Sequence, residues 1–321
     1  MSKVDRNNPR RSMASESRCT RFEWDKMFPD DAACLEYLVL TLYPDGIHCP
    51  TCNKVTKHYR DAGRPSYTCG FCGHHEHPMK GTIFEGSATS LKLWFDAIYL
   101  MASTRCGISA KQLEREIGVT YKCAWRMFKQ IRSMLDQDET FLAGVVEMDE
   151  MYHGGKDKWK HEAKKPHAGR GAVTKQPVLG MAQRGAKNDK RKFVTHGKVV
   201  AVVVPDSKAD TLVPLAKVQI LPASTVYTDE LKSYNDLEGL GYTHGRVNHS
   251  QGVYVSGDVH TNTIEGFWAT VRRGIGGTYH SVSTKHLQSY LDEYAFRYNN
   301  RDFTGGMTAA FLSAVVRKDA S

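Results

Sequence analysis

Four cysteines set the tightest constraint on this chain. Cys49, Cys52, Cys69 and Cys72 form Cys-x2-Cys, a gap of 16 residues, and a second Cys-x2-Cys. Each pair lies in a tight turn, Cys49-Pro50-Thr51-Cys52 and Cys69-Gly70-Phe71-Cys72. Two such turns bring four sulfurs to one point, the spacing of a tetrahedral four-thiolate zinc site. A pair of redox dithiols or a disulfide frame is the competing reading. It needs an oxidising compartment or a βαβ setting, and no βαβ pattern surrounds either motif. A ribbon of about 50 residues has too small a core to fold unaided, so zinc would supply its folding energy. His48, His58, His74, His75 and His77 crowd the same segment, but four thiolates already complete the site. Cys19, Cys34, Cys106 and Cys123 read as small packing residues, and Lys54, Lys57, Arg60 and Arg64 as ribbon cations able to touch phosphates.

The ribbon occupies a small part of 321 residues, which leaves room for further modules with their own cores. A content of 40% apolar and 25% charged residues is a globular balance. The longest aliphatic run, Val199 to Val204, spans six residues, against the roughly 20 of a membrane-crossing helix. The first residues are polar and basic without the apolar core of a secretory signal, so the expected compartment is the cytoplasm. Lys plus Arg outnumber Asp plus Glu by 44 to 35, a net charge of +9 that favours a polyanionic partner. Lys156 to Lys198 alone holds 13 Lys/Arg against 3 Asp/Glu, an excess larger than that of the whole chain. Taken by itself, such a block is equally well a solvated loop.

Hydrophobic period divides the chain into a flexible basic arm (1–28), the ribbon (29–80), a helical module (81–140), an α/β or α+β module with a mixed sheet (141–305) and a C-terminal tail (306–321). Asp30 is placed to cap a first helix through Leu35 and Leu38, and an apolar helix is expected over Leu91 to Ser103. Ile108 to Leu135 reads as two helices joined at Gly118, with Ser109 and Thr120 as N-caps. On the second helix Trp125, Phe128, Ile131 and Leu135 form the expected core stripe, with Lys122, Arg126 and Lys129 on another face. That is the layout of a helix-turn-helix, with Tyr121 and Lys122 nearest base edges and Arg126 and Lys129 nearest phosphates. An ordinary helical hairpin with a solvated basic face stays open beside it.

In the second half, strands are expected at Val145 to Asp149, Pro177 to Ala182, Val199 to Val204 and Thr225 to Asp229. Two of them end on an acid. Glu265 lies on a helix starting near His260, with Asn262 at i−3 and Arg272 at i+7 on the same face. Phosphoryl transfer by two Mg²⁺ ions about 3.5 to 4 Å apart needs carboxylates converging from separate elements, which Asp149, Asp229 and Glu265 would supply. Each acid also has an ordinary reading: Asp149 capping a turn, Asp229 capping a helix over Leu231 to Leu237, Glu265 paired with Arg272.

With the cysteine motifs CPTC and CGFC, the segments VEMDEMYHGG, VYTDELKSY, HTNTIEGFWATVRRGIGGTYHSV and EYAFRYNNR make the chain resemble bacterial insertion-sequence transposases of the ISXO-like group. The resemblance runs from Pro29 to Arg301. It implies a ribonuclease-H-like mixed sheet with flanking helices behind the zinc ribbon, and a DDE-type Mg²⁺-dependent activity. Asp149, Asp229 and an acid on the late helix would hold the metals. The third position in this group is Glu or Asn, which points to Glu265 or Asn262, and carboxylate is the harder ligand for Mg²⁺. Arg272 would be the basic partner that follows. The implied reaction nicks the element's ends and transfers the 3′ hydroxyl to target DNA. The implied partner is double-stranded DNA, bound by at least a dimer. The basic segment, Lys164 and Lys165 included, would then lie beside the acids and draw DNA in, its first part, to about Gln176, being a mobile loop until DNA binds. A regulator derived from such an enzyme, binding DNA without cutting it, is the alternative.

Overall fold

The computed structural model describes residues 19–136, 140–154, 175–186, 195–247 and 258–318. The chain divides into two compact units, residues 1–135 with 301–321, and residues 136–300.

In the first unit, helix α1 (Arg21–Met27) opens with a capping box in which Thr20 and Glu23 satisfy each other's backbone N–H groups. The arm expected through residue 28 thus ends in a helix. Its reason is Trp24, fully buried against Phe28, Phe95 and Tyr99, with its indole N–H donated to Asp96 at 3.2 Å. Helix α2 (Asp31–Leu42) is capped by Asp30 as expected. The ribbon follows as β1 (His48–Cys49) paired with β2 (Lys54–Val55), and an antiparallel sheet of β3 (His58–Arg60), β4 (Tyr67–Cys69) and β5 (His75–Glu76). Helix α3 (Leu91–Ser103), capped by Ser90, is the hub of this unit and buries Trp94, Phe95, Ile98 and Met101.

Helices α4 (Ala110–Ile117) and α5 (Tyr121–Ser133) are joined through Gly118, which takes the left-handed φ of 70° that ends α4, and Thr120 caps α5. Residues 306–321, expected as a tail, contain a helix, Gly306–Val315, that packs on α3 through an almost wholly apolar surface including Met307, Phe311 and Leu312. Its composition, GMTAAFLSAV, is that of a buried helix.

The second unit is a five-stranded mixed sheet with helices on both faces. Its order is β10-β9-β6-β7-β8, from β6 (Val145–His153), β7 (Gln176–Gln183), β8 (Val199–Val203), β9 (Thr225–Thr228) and β10 (Thr243–Arg246). The first three strands run antiparallel in succession, and β9 and β10 are parallel to β6. Alternation along the strands builds two cores. Val146, Met148, Leu179 and Met181 face helix α6 (Ala209–Gln219) and a 3₁₀ helix at Lys232–Leu240. Met151, Val178 and Ala182 face α7 (Asn262–Gly274) and α8 (Thr284–Asn299). Strand β6 runs four residues past Asp149, its expected end, because β7 pairs with it as far as His153.

Gly180 sets how closely α7 approaches the sheet. A Cβ at this position would lie 2.2 Å from Trp268 and 2.7 Å from the Ile264 side chain, and Gly180 is the cross-strand partner of Asp149. Gly180→Ala is therefore expected to cost about 1–3 kcal/mol through overpacking. Thermal unfolding measures this, and adding Trp268→Phe should recover part of the loss.

Candidate active site and metal centres

In the ribbon, the four Sγ atoms lie within 4.8 Å of one another. Cys49 and Cys72 are 3.5 Å apart, and Cys52 and Cys69 are 3.9 Å apart. A tetrahedron with Zn–S bonds near 2.3 Å has edges of about 3.8 Å, so the cluster fits one structural zinc ion. These separations are far too long for S–S bonds, which measure about 2.05 Å. The Thr56 hydroxyl at 3.2 Å from Cys69, with the Phe71 and Cys72 backbone N–H groups, favours its thiolate and pulls that thiol down to about 5. Cys52, beside Cys72 and the other two sulfurs, is pushed up to about 12.

On α5 the expected faces are partly rearranged. Ala124, Met127, Phe128 and Ile131 form the buried stripe, while Trp125 is exposed, with the Lys129 ammonium over its ring. Burial follows the 124–127–128–131 line because α4 and α3 cover that side. Arg126 is exposed as well, and donates to Ser87 and Thr89 at 3.3 and 3.2 Å while lying over the Trp94 ring. Tyr121, Lys122 and Lys129 are exposed. Lys164 and Lys165, and most of the basic segment around them, lie outside the described residues.

In the second unit, β9 pairs with β6 in parallel from Val145↔Thr225 to Glu147↔Tyr227. Continuing that offset sets Asp229 level with Asp149, just beyond the point where β9 stops. Glu150 joins them: Asp149, Glu150 and Asp229 each offer an oxygen within 4.8 Å of the others. Glu150 is the residue that reasoning from the sequence missed. It projects to the opposite face of β6 from Asp149, and only the ending of β9 lets both reach Asp229. The acid pair in VEMDEM was the available signal.

Glu265 and Asn262 both sit on exposed positions of α7, and neither belongs to that three-acid cluster. Glu265 accepts from the Thr261 hydroxyl at 2.9 Å, yet its charge is near enough to act on Asp149. Arg272 is exposed, and among the described residues no ion pair joins it to Glu265. Asp229 caps its own turn, accepting from the Leu231 N–H at 2.9 Å.

The comparisons with known proteins agree on the lineage. Residues 141–299 match the ISXO2-like transposase domain, and residues 29–75 match the transposase zinc-ribbon domain. An uncharacterized protein in transposable element ISH50 of Halobacterium salinarum is 31% identical over 289 residues, 85% of this chain and 92% of that protein. The chain belongs to the ISXO2-like transposase family. An uncharacterized transposase-like protein of Haemophilus influenzae is 33% identical over 105 residues, 33% of this chain and 84% of that protein. No helix among the described residues of this transposase-family chain is long and apolar enough to cross a membrane.

Electrostatics mark the acid cluster as strained without a cation. Burial first, then the charges of Asp229 and Glu265, push Asp149 up to about 6. The Trp268 indole N–H, buried and with no hydrogen bond formed, opposes this shift. Burial, Asp229 and Asp149 push Glu150 up to about 8, and its buried Oε1 has no partner. Three crowded carboxylates, one with an unpartnered buried oxygen, fit a hard divalent cation.

The sign of the pH dependence follows. Both carboxyls bind protons more tightly folded than unfolded, so without divalent metal their contribution to stability is fully present below the ordinary carboxylate range. It is lost as pH rises through about 6 for Asp149 and about 8 for Glu150. The melting temperature of the Mg²⁺-free protein is expected to fall between about pH 4 and 8, most steeply below about 6 where both groups contribute. Added Mg²⁺ should restore it at the alkaline end, and Glu150→Gln should flatten the slope, as read by scanning fluorimetry.

Proposed function

We propose that this chain is a DDE-type DNA transposase whose second unit is a ribonuclease-H-like catalytic domain and whose first unit recognises the ends of an insertion sequence. The observation that carries the reading is the approach of Asp149 on β6 to Asp229 just past the end of the parallel strand β9, inside the stretch that matches the transposase domain. The sheet order supports it, with three antiparallel strands in succession and two parallel strands added beside the first.

Asp149 and Asp229 would hold two Mg²⁺ ions, with Glu265 as the third carboxylate and Glu150 within reach. Bound there, such ions lower the pKa of an attacking water and stabilise charge on the leaving oxygen. The sheet holds Asp149 and ends beside Asp229, while α7 carries Glu265, whose charge acts on Asp149. Asn262 is the alternative third ligand, and Arg272, exposed further along α7, is placed to meet a DNA phosphate. Hydrolysis at each end leaves a 3′ hydroxyl. In the joining step that oxygen forms one new P–O bond as one P–O bond of the target breaks, so the transfer needs no nucleotide.

The exposed Tyr121, Lys122 and Lys129 of α5, with Trp125 among them, make a basic and aromatic face suited to a DNA groove. The four thiolates would hold zinc to keep the ribbon folded. Coupled joining of two ends implies at least two copies on DNA. The logarithm of the affinity for end DNA is expected to fall linearly with log salt, by about one unit of slope per phosphate contact. Lys129→Ala should flatten the slope by about that unit.

The deciding experiment is cleavage and strand transfer on labelled duplexes made from the sequences flanking the gene, with Mg²⁺ or EDTA. Cutting at the repeat ends that requires Mg²⁺ supports the enzyme. Tight, specific binding by folded, zinc-loaded protein with no cutting would replace it with a DNA-binding regulator. Cutting without regard to the terminal sequence would point to a general nuclease.

A further inference from the structure

Two residues before Asp149, on the same face of β6, Glu147 is completely buried. A carboxylate in that position is costly unless each lone pair finds a donor. Here four donors converge on it. Oε2 accepts the backbone N–H groups of Thr263 at 2.7 Å and Ile264 at 3.0 Å. Oε1 accepts the Thr263 hydroxyl at 2.8 Å and the Arg184 Nε–H at 2.6 Å.

These amides are open N–H groups of the first turn of α7. Its N-cap residue, Thr261, makes no side-chain cap bond and spends its hydroxyl on Glu265 instead. The capping function has therefore passed from the helix to the central strand. The negative charge also sits at the positive end of the helix dipole, where it is favourable.

Arg184 extends the arrangement. Its remaining nitrogens donate to the carbonyls of Asp258 at 2.7 Å and His260 at 2.8 Å, and to His260 Nδ1 at 2.7 Å. The Asn262 N–H also points at that Nδ1, at 3.4 Å. Nδ1 thus accepts, which places the imidazole proton on Nε2. Its 3.2 Å approach to Glu147 Oε1 is acceptor against acceptor and is not an ion pair.

We propose that Glu147 is a positioning residue for the acid site: by capping α7 from strand β6, it fixes the helix that carries Glu265 and Trp268 to the strand that carries Asp149. Glu147 touches neither substrate nor metal in this scheme. It ties two ligand-bearing elements together directly, through a segment only two residues from Asp149. The inference rests on the reading of Asp149, Asp229 and Glu265 as metal ligands.

The test uses the full chain with Glu147→Gln, which keeps length but offers one accepting oxygen, Glu147→Leu, which keeps volume alone, and Thr263→Val, which removes one donor and spares the fold. The first readout is amide hydrogen exchange at Thr263 and Ile264. It should accelerate by more than about tenfold in the Leu variant and less in the Gln variant, in keeping with the loss of charge-assisted bonds. The second is Mn²⁺ titration followed by the shift in melting temperature. The half-saturating concentration should rise by about 10- to 100-fold in Glu147→Leu, the usual cost of losing a residue that orients ligands. Thr263→Val should show the same two changes at smaller size, and it decides the matter if Glu147→Leu does not fold. Faster exchange with a Mn²⁺ midpoint within about twofold of the unmodified protein would reduce Glu147 to a structural cap and overturn the proposal. Unchanged exchange would overturn it as well. If the unmodified protein shows no Mn²⁺ response, it is the acid-site reading that fails, while the exchange data still report whether Glu147 holds α7.

Discussion

Asp149→Asn and Asp229→Asn are each expected to lower Mg²⁺-dependent end cleavage by about a thousandfold or more, while affinity for end DNA stays within about twofold. The size follows from what is removed. A metal ligand at a two-ion site supports several kcal/mol of charge stabilisation at the reacting phosphate, and each 1.36 kcal/mol is a factor of ten. The direction on stability is the opposite. Asp149 is held up to about 6 by burial and by its acidic neighbours, so replacing it with a neutral amide relieves repulsion in the metal-free protein. The variant is expected to melt slightly higher without Mg²⁺ and to lose the shift that Mg²⁺ produces. Loss of activity with gain of metal-free stability separates a ligand role from simple misfolding. The same assay resolves the third position: Glu265→Gln should approach the aspartate variants, and Asn262→Ala should fall by less than about tenfold. Comparable cleavage by Asp149→Asn and the unmodified protein would remove the catalytic assignment.

The parts of this molecule legible in the sequence are those written in local signals. Asp30, Ser109 and Thr120 cap their helices where expected, Gly118 joins two helices at a left-handed φ, and the CPTC and CGFC turns converge. Non-local facts were hidden. Helical spacing puts Trp125 in the core because it cannot say which of two adjacent stripes is covered, and the covered one runs through Ala124 and Met127. The helix at Gly306–Val315 was read as a tail because its burial depends on α3, some 200 residues away in the chain. Strand β10, with Gly245 and His244, carries no strand-like period and forms because β9 offers it an open edge. The acid site shows the same division. Asp149 and Asp229 are visible as acids following apolar runs, whereas the place of Glu150 depends on where β9 stops. The role of Glu147 depends on the donors of a helix more than a hundred residues later.

Removing zinc should have an effect of similar scale on the first unit. Structural zinc in small thiolate sites contributes about 10–16 kcal/mol of apparent binding free energy at neutral pH, far more than the short strands β1 to β5 can replace. Chelation, or Cys69→Ser, is therefore expected to abolish the ribbon's fold and specific end binding together. Circular dichroism, zinc stoichiometry and DNA affinity would register the loss. Among the four thiols Cys69 should be the most sensitive, since Thr56, Phe71 and Cys72 already hold it toward the thiolate at about 5. Acidification should act in the same direction, because protons compete with the metal for the thiolates. Thr56→Val tests the argument with all four sulfurs left in place. It removes one donor from Cys69, and zinc affinity should drop by about tenfold or more, as for other residues that orient metal ligands. An unchanged zinc affinity in that variant would mean that the geometry of the two turns, and not the donors around Cys69, sets the strength of the site.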